Sequence, residues 1–188
     1  MHPLETDRLQ LRAWSEEDVD VVFDMYSRWE VQRFIGLVPR VMVDRGEAEA
    51  AIARWNSLED PVCGVWAVQR RGDGHPLGTL LLKPIPASSD RTPLPPSGDI
   101  EIGWHFHPGA WGRGYATEAA RAVLDFGFQQ LGLNEVVSFT VPANRRSTSV
   151  MERIGMTRSP DDDFEHPQLP PGHPLRHHVL YRITSVGT

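Results

Sequence analysis

His107-Pro-Gly-Ala-Trp-Gly-Arg-Gly-Tyr-Ala-Thr-Glu-Ala119 decides the fold, because it sets glycines between a stretch of strand character and a stretch of helix character. Upstream, Asp99-Ile-Glu-Ile-Gly-Trp-His-Phe106 alternates Ile100, Ile102, Trp104 and Phe106 with polar or small residues. That is the period-two pattern of a half-buried strand. Downstream, Ala116, Ala119, Ala120, Val123, Gly127 and Leu131 recur at helical spacing, and Gly132 stands where a left-handed C-cap belongs. A helix is therefore expected from Tyr115 onward. Gly112 and Gly114 permit a tight turn at its start, so consecutive backbone N–H groups can converge on a phosphate that also feels the positive end of the helix dipole.

Three glycine-loop chemistries use such a cradle, and spacing separates them. A nucleotide P-loop needs Lys-Ser/Thr after its last glycine, where this chain has Tyr115-Ala116. A dinucleotide fingerprint needs Gly-x-Gly-x-x-Gly, whereas Gly109, Gly112 and Gly114 have the gaps in the reverse order, and Glu135 begins a strand instead of ending one. Trp111-Gly-Arg-Gly114-Tyr-Ala116 resembles the Arg/Gln-x-x-Gly-x-Gly/Ala loop with which GNAT acyltransferases bind the pyrophosphate of acetyl-CoA. Trp111 departs from the usual Arg or Gln. The branch that acetylates N-terminal amines of ribosomal proteins (RimJ/RimL-like) often has Trp there, followed by Gly-Lys/Arg-Gly-Tyr-Ala-Thr-Glu-Ala. Leu4-Glu-Thr-Asp-Arg-Leu-Gln-Leu-Arg12 looks like the opening of the same branch, and Asn144-Arg-Arg-Ser147 with the following short helix to Gly155-Met156 resembles the GNAT segment that meets the pantetheine arm.

The resemblance covers nearly the whole chain and implies a single α/β GNAT domain over residues 1–188. Its sheet is expected to be mixed, mostly antiparallel, of six to seven strands flanked by helices, and splayed between the strand ending near His107 and the strand ending near Val141. The co-substrate implied is acetyl-CoA, held by Trp111, Gly112, Arg113, Gly114, Tyr115, Ala116 and Thr117. The pantetheine would extend along Trp104 to His107, including Phe106, and meet Asn144, whose amide both donates and accepts.

Composition narrows the setting. The chain has 188 residues, 40% of them hydrophobic, enough for one domain with a sizeable core. A net charge of −6 argues against a nucleic-acid partner, which calls for clustered Lys and Arg. No apolar run approaches the ~20 residues of a membrane span, and the opening residues lack the charged and apolar regions of a signal peptide, so the cytoplasm is the expected compartment. A single cysteine, Cys63, excludes an internal disulfide and a cysteine-rich zinc site, and it reads as an inert thiol.

In chain order, Arg8 to Arg12 alternates as a first strand. Ser15 caps a helix with Val19, Val22, Phe23 and Tyr26 as its buried stripe, and Trp29, Phe34 and Ile35 continue into a second helix or a bend. Asp44 and Glu47 form a capping box for a helix burying Ala48, Ala51, Ile52, Trp55 and Leu58. Val62 to Gln69 and Leu77 to Leu82 read as a hairpin about Arg71-Gly-Asp-Gly-His75, and the proline-rich stretch from Lys83 to Gly98 as a long exposed loop. Glu135 to Val141 and His178 to Ile183 are later strands. Trp29 and Trp55 are candidates to seal a homodimer.

Acetyl transfer needs a neutral amine, a held carbonyl and a way to discharge the thiolate. Asp99, Glu101, Gly103, His105 and His107 share one face of the central strand. Glu101 lies near the place where some GNAT enzymes keep the carboxylate that takes the amine's proton, and it reads equally as a carboxylate pinning a neighbouring element. His105 is a second catalytic candidate, against a packed histidine. Many GNAT enzymes use a Tyr seven residues after the Asn, where this chain has Met151; Ser147 aligns with a serine given that role in the ribosomal-protein branch, and it can also cap the helix it starts. Glu165 and His166 are candidates for binding the acceptor, with a solvated loop acid as the equal alternative for Glu165. The histidines His166, His173, His177 and His178 lie in a proline-rich stretch without a rigid helix to aim them, and no metal is expected. The acceptor class is open between a protein N-terminus and a small-molecule amine, and an acyl-CoA-binding sensor or scaffold without turnover is a different class that Met151 leaves open.

Overall fold

A computed structural model describes residues 2–58, 64–85 and 98–185. The central alternation of Ile100 to Phe106 forms strand β5 (Ile100–Phe106), and the glycine turn leads into helix α4 (Tyr115–Gln129). Before them run β1 (Leu4–Glu5), β2 (Leu9–Arg12), α1 (Val19–Tyr26), α2 (Trp29–Gln32), α3 (Arg45–Asn56), β3 (Gly64–Arg70) and β4 (Pro76–Pro84). After them come β6 (Glu135–Thr140), α5 (Arg145–Arg153), β7 (Thr157–Arg158), β8 (Phe164–Glu165) and β9 (His177–Thr184). The strands order as β1-β2-β3-β4-β5-β6-β9-β7, with β8 also paired to β9.

Among the described residues every pairing is antiparallel except β5 with β6, which run parallel. That pair shares a single register, Glu101 opposite Val137, so the two strands part beyond it. The splay thus falls where the sequence places it. The described residues hold nine strands instead of six to seven. The additions are two-residue strands, β1, β7 and β8, too short for a period-two signal.

Two apolar layers sandwich the sheet. On one face Leu80, Leu82, Ile102 and Phe106 meet Ala119, Ala120, Val123 and Met151 of α4 and α5. On the other, Val65 and Ala67 meet Val22, Met25 and Tyr26 of α1 and Ala48 and Ile52 of α3. Full burial of side chains such as Leu82 or Met151 contributes roughly 1.5–3 kcal/mol each before cavity terms.

Several local expectations change. Asp44 accepts from the Glu47 N–H at 3.1 Å, but the Glu47 carboxylate pairs with Arg40, so only half of the capping box forms. Leu58 lies beyond α3 and is 40% exposed. Trp55 packs on Trp14 and Tyr26, leaving Trp29, at 55% exposure, as the open aromatic of that pair. β4 extends through Pro84, and Ile85 exchanges backbone hydrogen bonds with Asp99 and Gly98, so the hairpin reaches further into the expected loop. Cys63, Val62 and residues 86–97 lie outside the described residues.

Candidate active site

A cavity of about 1120 Å³ opens where β5 and β6 part. One end is the glycine turn. Gly112 and Gly114 adopt positive φ, 73° and 78°, and Gly114 is the N-cap of α4. A Cβ at Gly112 would meet nothing within 4 Å, so backbone conformation, not crowding, calls for glycine there. Among the described residues, no protein acceptor meets the backbone N–H groups of Gly112 to Thr117. These amides cluster at the positive end of a 15-residue helix, and Gly112, Gly114, Tyr115, Ala116 and Thr117 line the cavity.

The turn is clamped from the chain's first strands. Arg8 donates from Nη1 to the Arg113 carbonyl at 3.1 Å and from Nε to Glu118 at 2.6 Å, and its guanidinium lies 4.9 Å from the Tyr115 ring centroid. Glu118 also accepts from Thr6 Oγ1 at 2.6 Å and from the Arg8 N–H at 3.1 Å. Burial alone would raise the Glu118 carboxyl, yet these donors outweigh it and hold its pKa below the ordinary range. Trp111 donates from Nε1 to the Phe106 carbonyl at 2.8 Å, and Arg146 stacks over its ring at 4.2 Å.

The edge of β5 is open along the splay. His107 gives its N–H to the Leu77 carbonyl, and by strand alternation the amides of Gly103 and His105 also face β4. Those of Trp104 and Phe106 then face the gap left by β6. His107 itself does not line the cavity; its Nδ1 accepts from the Gly109 N–H at 3.1 Å and caps the turn Pro108–Ala110. Its Nε2 lies 3.1 Å from Asp24 at an angle that makes no hydrogen bond.

Glu101 and His105 line the cavity on the α1 face of the sheet. Both retain some solvent contact through the cavity while the surrounding protein strips most of their hydration. Burial pushes the Glu101 carboxyl up to about 7, against the lowering pull of Lys83, its cross-strand partner. Burial, reinforced by Lys83, pushes the His105 imidazole down to about 4, so it is neutral at physiological pH. Tyr26 Oη lies 2.9 Å from His105 Nδ1 and 3.0 Å from Thr79 Oγ1, and burial raises its own pKa well above the ordinary tyrosine value.

Across the gap, Asn144 is the N-cap of α5 and donates from Nδ2 to Thr140 Oγ1 at 3.0 Å, leaving its side-chain oxygen available. Ser147 is within α5, its hydroxyl has no protein partner among the described residues, and it lines the cavity; it does not cap the helix. Met151 is fully buried away from the cavity. His166 and His178 line the far wall with ring centroids 5.8 Å apart, and burial lowers the pKa of each. Glu165 is not brought in: its exposed carboxylate pairs with Arg176 and His177, both at 2.9 Å. Among the described residues no group of three or more His, Cys, Asp or Glu is poised to hold a metal ion.

Thus the cavity assembles Phe106, Trp111, Gly112, Gly114, Tyr115, Ala116, Thr117, Asn144, Ser147, Glu101, His105 and His166. It leaves out His107, Arg113 and Glu165. The functional surroundings that sequence reading missed are Arg8, Tyr26, Lys83 and Arg146. Arg8 and Glu118 stand in two separately quoted stretches, and only their distance in space joins them. Lys83 becomes visible once the hairpin register with Glu101 is known.

Residues 8–157 match the family described as Acetyltransferase (GNAT) domain. The chain is 28% identical over 156 residues, 82% of each chain, to the uncharacterized N-acetyltransferase YoaA of Bacillus subtilis. An acetyltransferase of the GNAT family from Bacillus anthracis superposes with a TM-score of 0.77 at 24% identity, covering 97% of this chain and 98% of its own. A putative ribosomal-protein-serine acetyltransferase from Vibrio cholerae superposes with a TM-score of 0.75 at 18% identity, covering 97% of both chains, a likeness of fold alone. With the match spanning most of its length and the splayed sheet and glycine turn in place, the chain belongs to the GNAT acetyltransferase family.

Proposed function

We propose that this chain transfers an acetyl group from acetyl-CoA to a primary amine by direct attack on the thioester. The observation that carries the reading is the run of unpartnered amides from Gly112 to Thr117, in a turn that lines the same cavity as the raised carboxyl of Glu101. Diphosphate oxygens fit those amides, and Arg145 and Arg146, which line that end of the cavity, add positive charge. The free edge of β5 at Trp104 and Phe106 and the Asn144 side-chain oxygen suit the amides of a pantetheine arm.

When bound, the thioester supplies an electrophilic carbonyl. Glu101, with a proton affinity matched to neutral pH, takes a proton from the acceptor's ammonium directly or through a water, and the neutral amine so formed attacks the carbonyl. The nitrogen–carbon bond forms, the carbon–sulfur bond breaks, the nitrogen sheds its second proton to solvent, and the Ser147 hydroxyl gives the departing thiolate a proton that solvent restores. The acceptor half of the cavity mixes Glu30 and Glu101 with Arg33 and Lys83 and carries Phe34, Ile35 and Leu81. That balance suits a small amine or a single protein N-terminus better than a polycationic tail. The cytosolic supply of acetyl-CoA favours a cytoplasmic setting.

A second reading, acyl-CoA binding without turnover, is favoured by one observation: Met151, buried in the core, occupies the place of the tyrosine acid of many relatives. Thiol release from acetyl-CoA against a panel of small amines and N-terminal peptides separates the two. Turnover with any acceptor supports the enzyme, and tight binding with no release supports the sensor. Calorimetry on Gly114→Glu tests the cradle itself. Bulk and negative charge at a residue with φ of 78° should abolish acetyl-CoA binding, and unchanged affinity would refute the placement.

A further inference from the structure

Three polar atoms beneath the cavity floor form a closed chain: Thr79 Oγ1, Tyr26 Oη and His105 Nδ1, separated by 3.0 and 2.9 Å. Thr79 is 1% exposed and Tyr26 4% exposed, so bulk solvent does not reach them. Three arrangements of hydrogens join all three atoms, and two of them leave a buried hydroxyl hydrogen over: where both neighbours donate to Tyr26, it is the hydrogen of Tyr26 itself. Where His105 Nδ1 donates to Tyr26 and Tyr26 donates to Thr79, it is the Thr79 hydroxyl hydrogen. Among the described residues no other acceptor meets Thr79 Oγ1. An unmet buried donor costs about 1–3 kcal/mol. In the third arrangement Thr79 donates to Tyr26 and Tyr26 donates to His105 Nδ1, and every hydrogen is used.

We propose that Tyr26 is a positioning residue that fixes the His105 imidazole as its Nε2–H tautomer, so that His105 presents a hydrogen-bond donor, not a base, to the carbonyl oxygen of the transferring acyl group. The two rings meet edge to face, with centroids 5.7 Å apart and planes at 86°, and Trp55 backs Tyr26 at 5.8 Å, which holds the donor direction. His105 precedes Glu101 on the same face of β5 when approached from the glycine turn, so it lies on the acyl side of the proton acceptor. Its neutral state agrees with this assignment. No proton leaves His105 during the reaction: the oxygen gains charge as the nitrogen–carbon bond forms, the imidazole N–H stabilises that charge, and the ammonium's proton goes to Glu101.

The consequence for rate rests on the acetyl-transfer reading above, but the tautomer does not, so the two fail separately. Ring ¹⁵N shifts of His105 in the full-length protein at pH 7 should show a bare Nδ1 and a protonated Nε2. Tyr26→Phe keeps the ring volume and removes the donor; it should shift the ring nitrogens toward a tautomer mixture and lower kcat roughly 10-fold, with KM for acetyl-CoA within about two-fold. His105→Ala should lower kcat about 10²-fold, and His105→Gln, which keeps an N–H donor but no base, should recover most of that loss. A protonated Nδ1 in the unmodified protein overturns the proposal. So does a fall in kcat for Tyr26→Phe with unmoved ring shifts, which would mark Tyr26 as a packing residue, or a His105→Gln variant as slow as His105→Ala. Absence of turnover in the unmodified protein would refute the function and leave the ring shifts to decide the tautomer.

Discussion

Replacing Glu101 with Gln should make the protein more stable at alkaline pH while making it a poorer catalyst. The folded carboxyl keeps its proton up to about pH 7, whereas an unfolded glutamate releases it near the ordinary value of 4.5. Between those limits the folded state binds more protons than the unfolded state, so stability falls as pH rises. The contribution is complete below 4.5 and is lost as pH climbs through about 7. At about 1.4 kcal/mol per pH unit the interval has a ceiling of about 3.5 kcal/mol, and contact with water through the cavity brings the expected range to about 1–3 kcal/mol. Glutamine has no proton to lose, so Glu101→Gln should match the unmodified protein near pH 4.5 and exceed its stability by that amount at pH 8. For a chain of this length the gain corresponds to about 3–10 °C in Tm. Urea unfolding of both proteins at pH 5 and pH 8 measures the difference, in which every other titrating group cancels. If the two stability curves run parallel, or if the variant is the weaker protein at pH 8, the strained carboxyl does not exist. The same substitution should lower kcat by roughly 10²–10⁴-fold, the usual worth of a positioned base.

Two further outcomes follow from neighbouring charges. Lys83 pulls the Glu101 pKa down, so Lys83→Gln should move the lower limb of the kcat/KM profile above pH 7; a limb that stays in place would show that the cation does not reach the carboxylate. Glu118→Ala removes the acceptor shared by Thr6 and Arg8 and should cost about 1–3 kcal/mol in unfolding while raising KM for acetyl-CoA several-fold, because the glycine turn loses its clamp. A loss of stability with unchanged KM would reduce that clamp to a packing feature.

The frame was legible wherever a long periodic stretch stood between glycines. Ile100 to Phe106, the turn at Gly112 and Gly114, and the helix from Tyr115 announce themselves by alternation, positive-φ residues and 3.6-residue spacing, which are local properties. β1, β7 and β8 were not legible because two residues carry no period. At the site, residues on the central strand and the turn were found, since one parity places Glu101 and His105 together. Tyr26 reads as one more apolar position of α1, and only the packing of that helix on β4 and β5 brings its hydroxyl to His105. Glu165 reads as a free acid near the cavity, and the pairing of β8 with β9 turns it outward to Arg176 and His177. In both cases the deciding contact lies many residues away along the chain, where no local pattern can encode it.

The single rung between β5 and β6 divides the sheet into two leaves, one built from β1 to β5 and the other from β6, β9 and β7, bridged across the opening by α4 and α5. Raw backbone edges face each other there, and among the described residues no segment lies between them. A molecule laid into that slot acts as a borrowed strand, stitching the leaves along a seam that folding left unsewn, so its departure should loosen the whole joint and not just vacate a pocket.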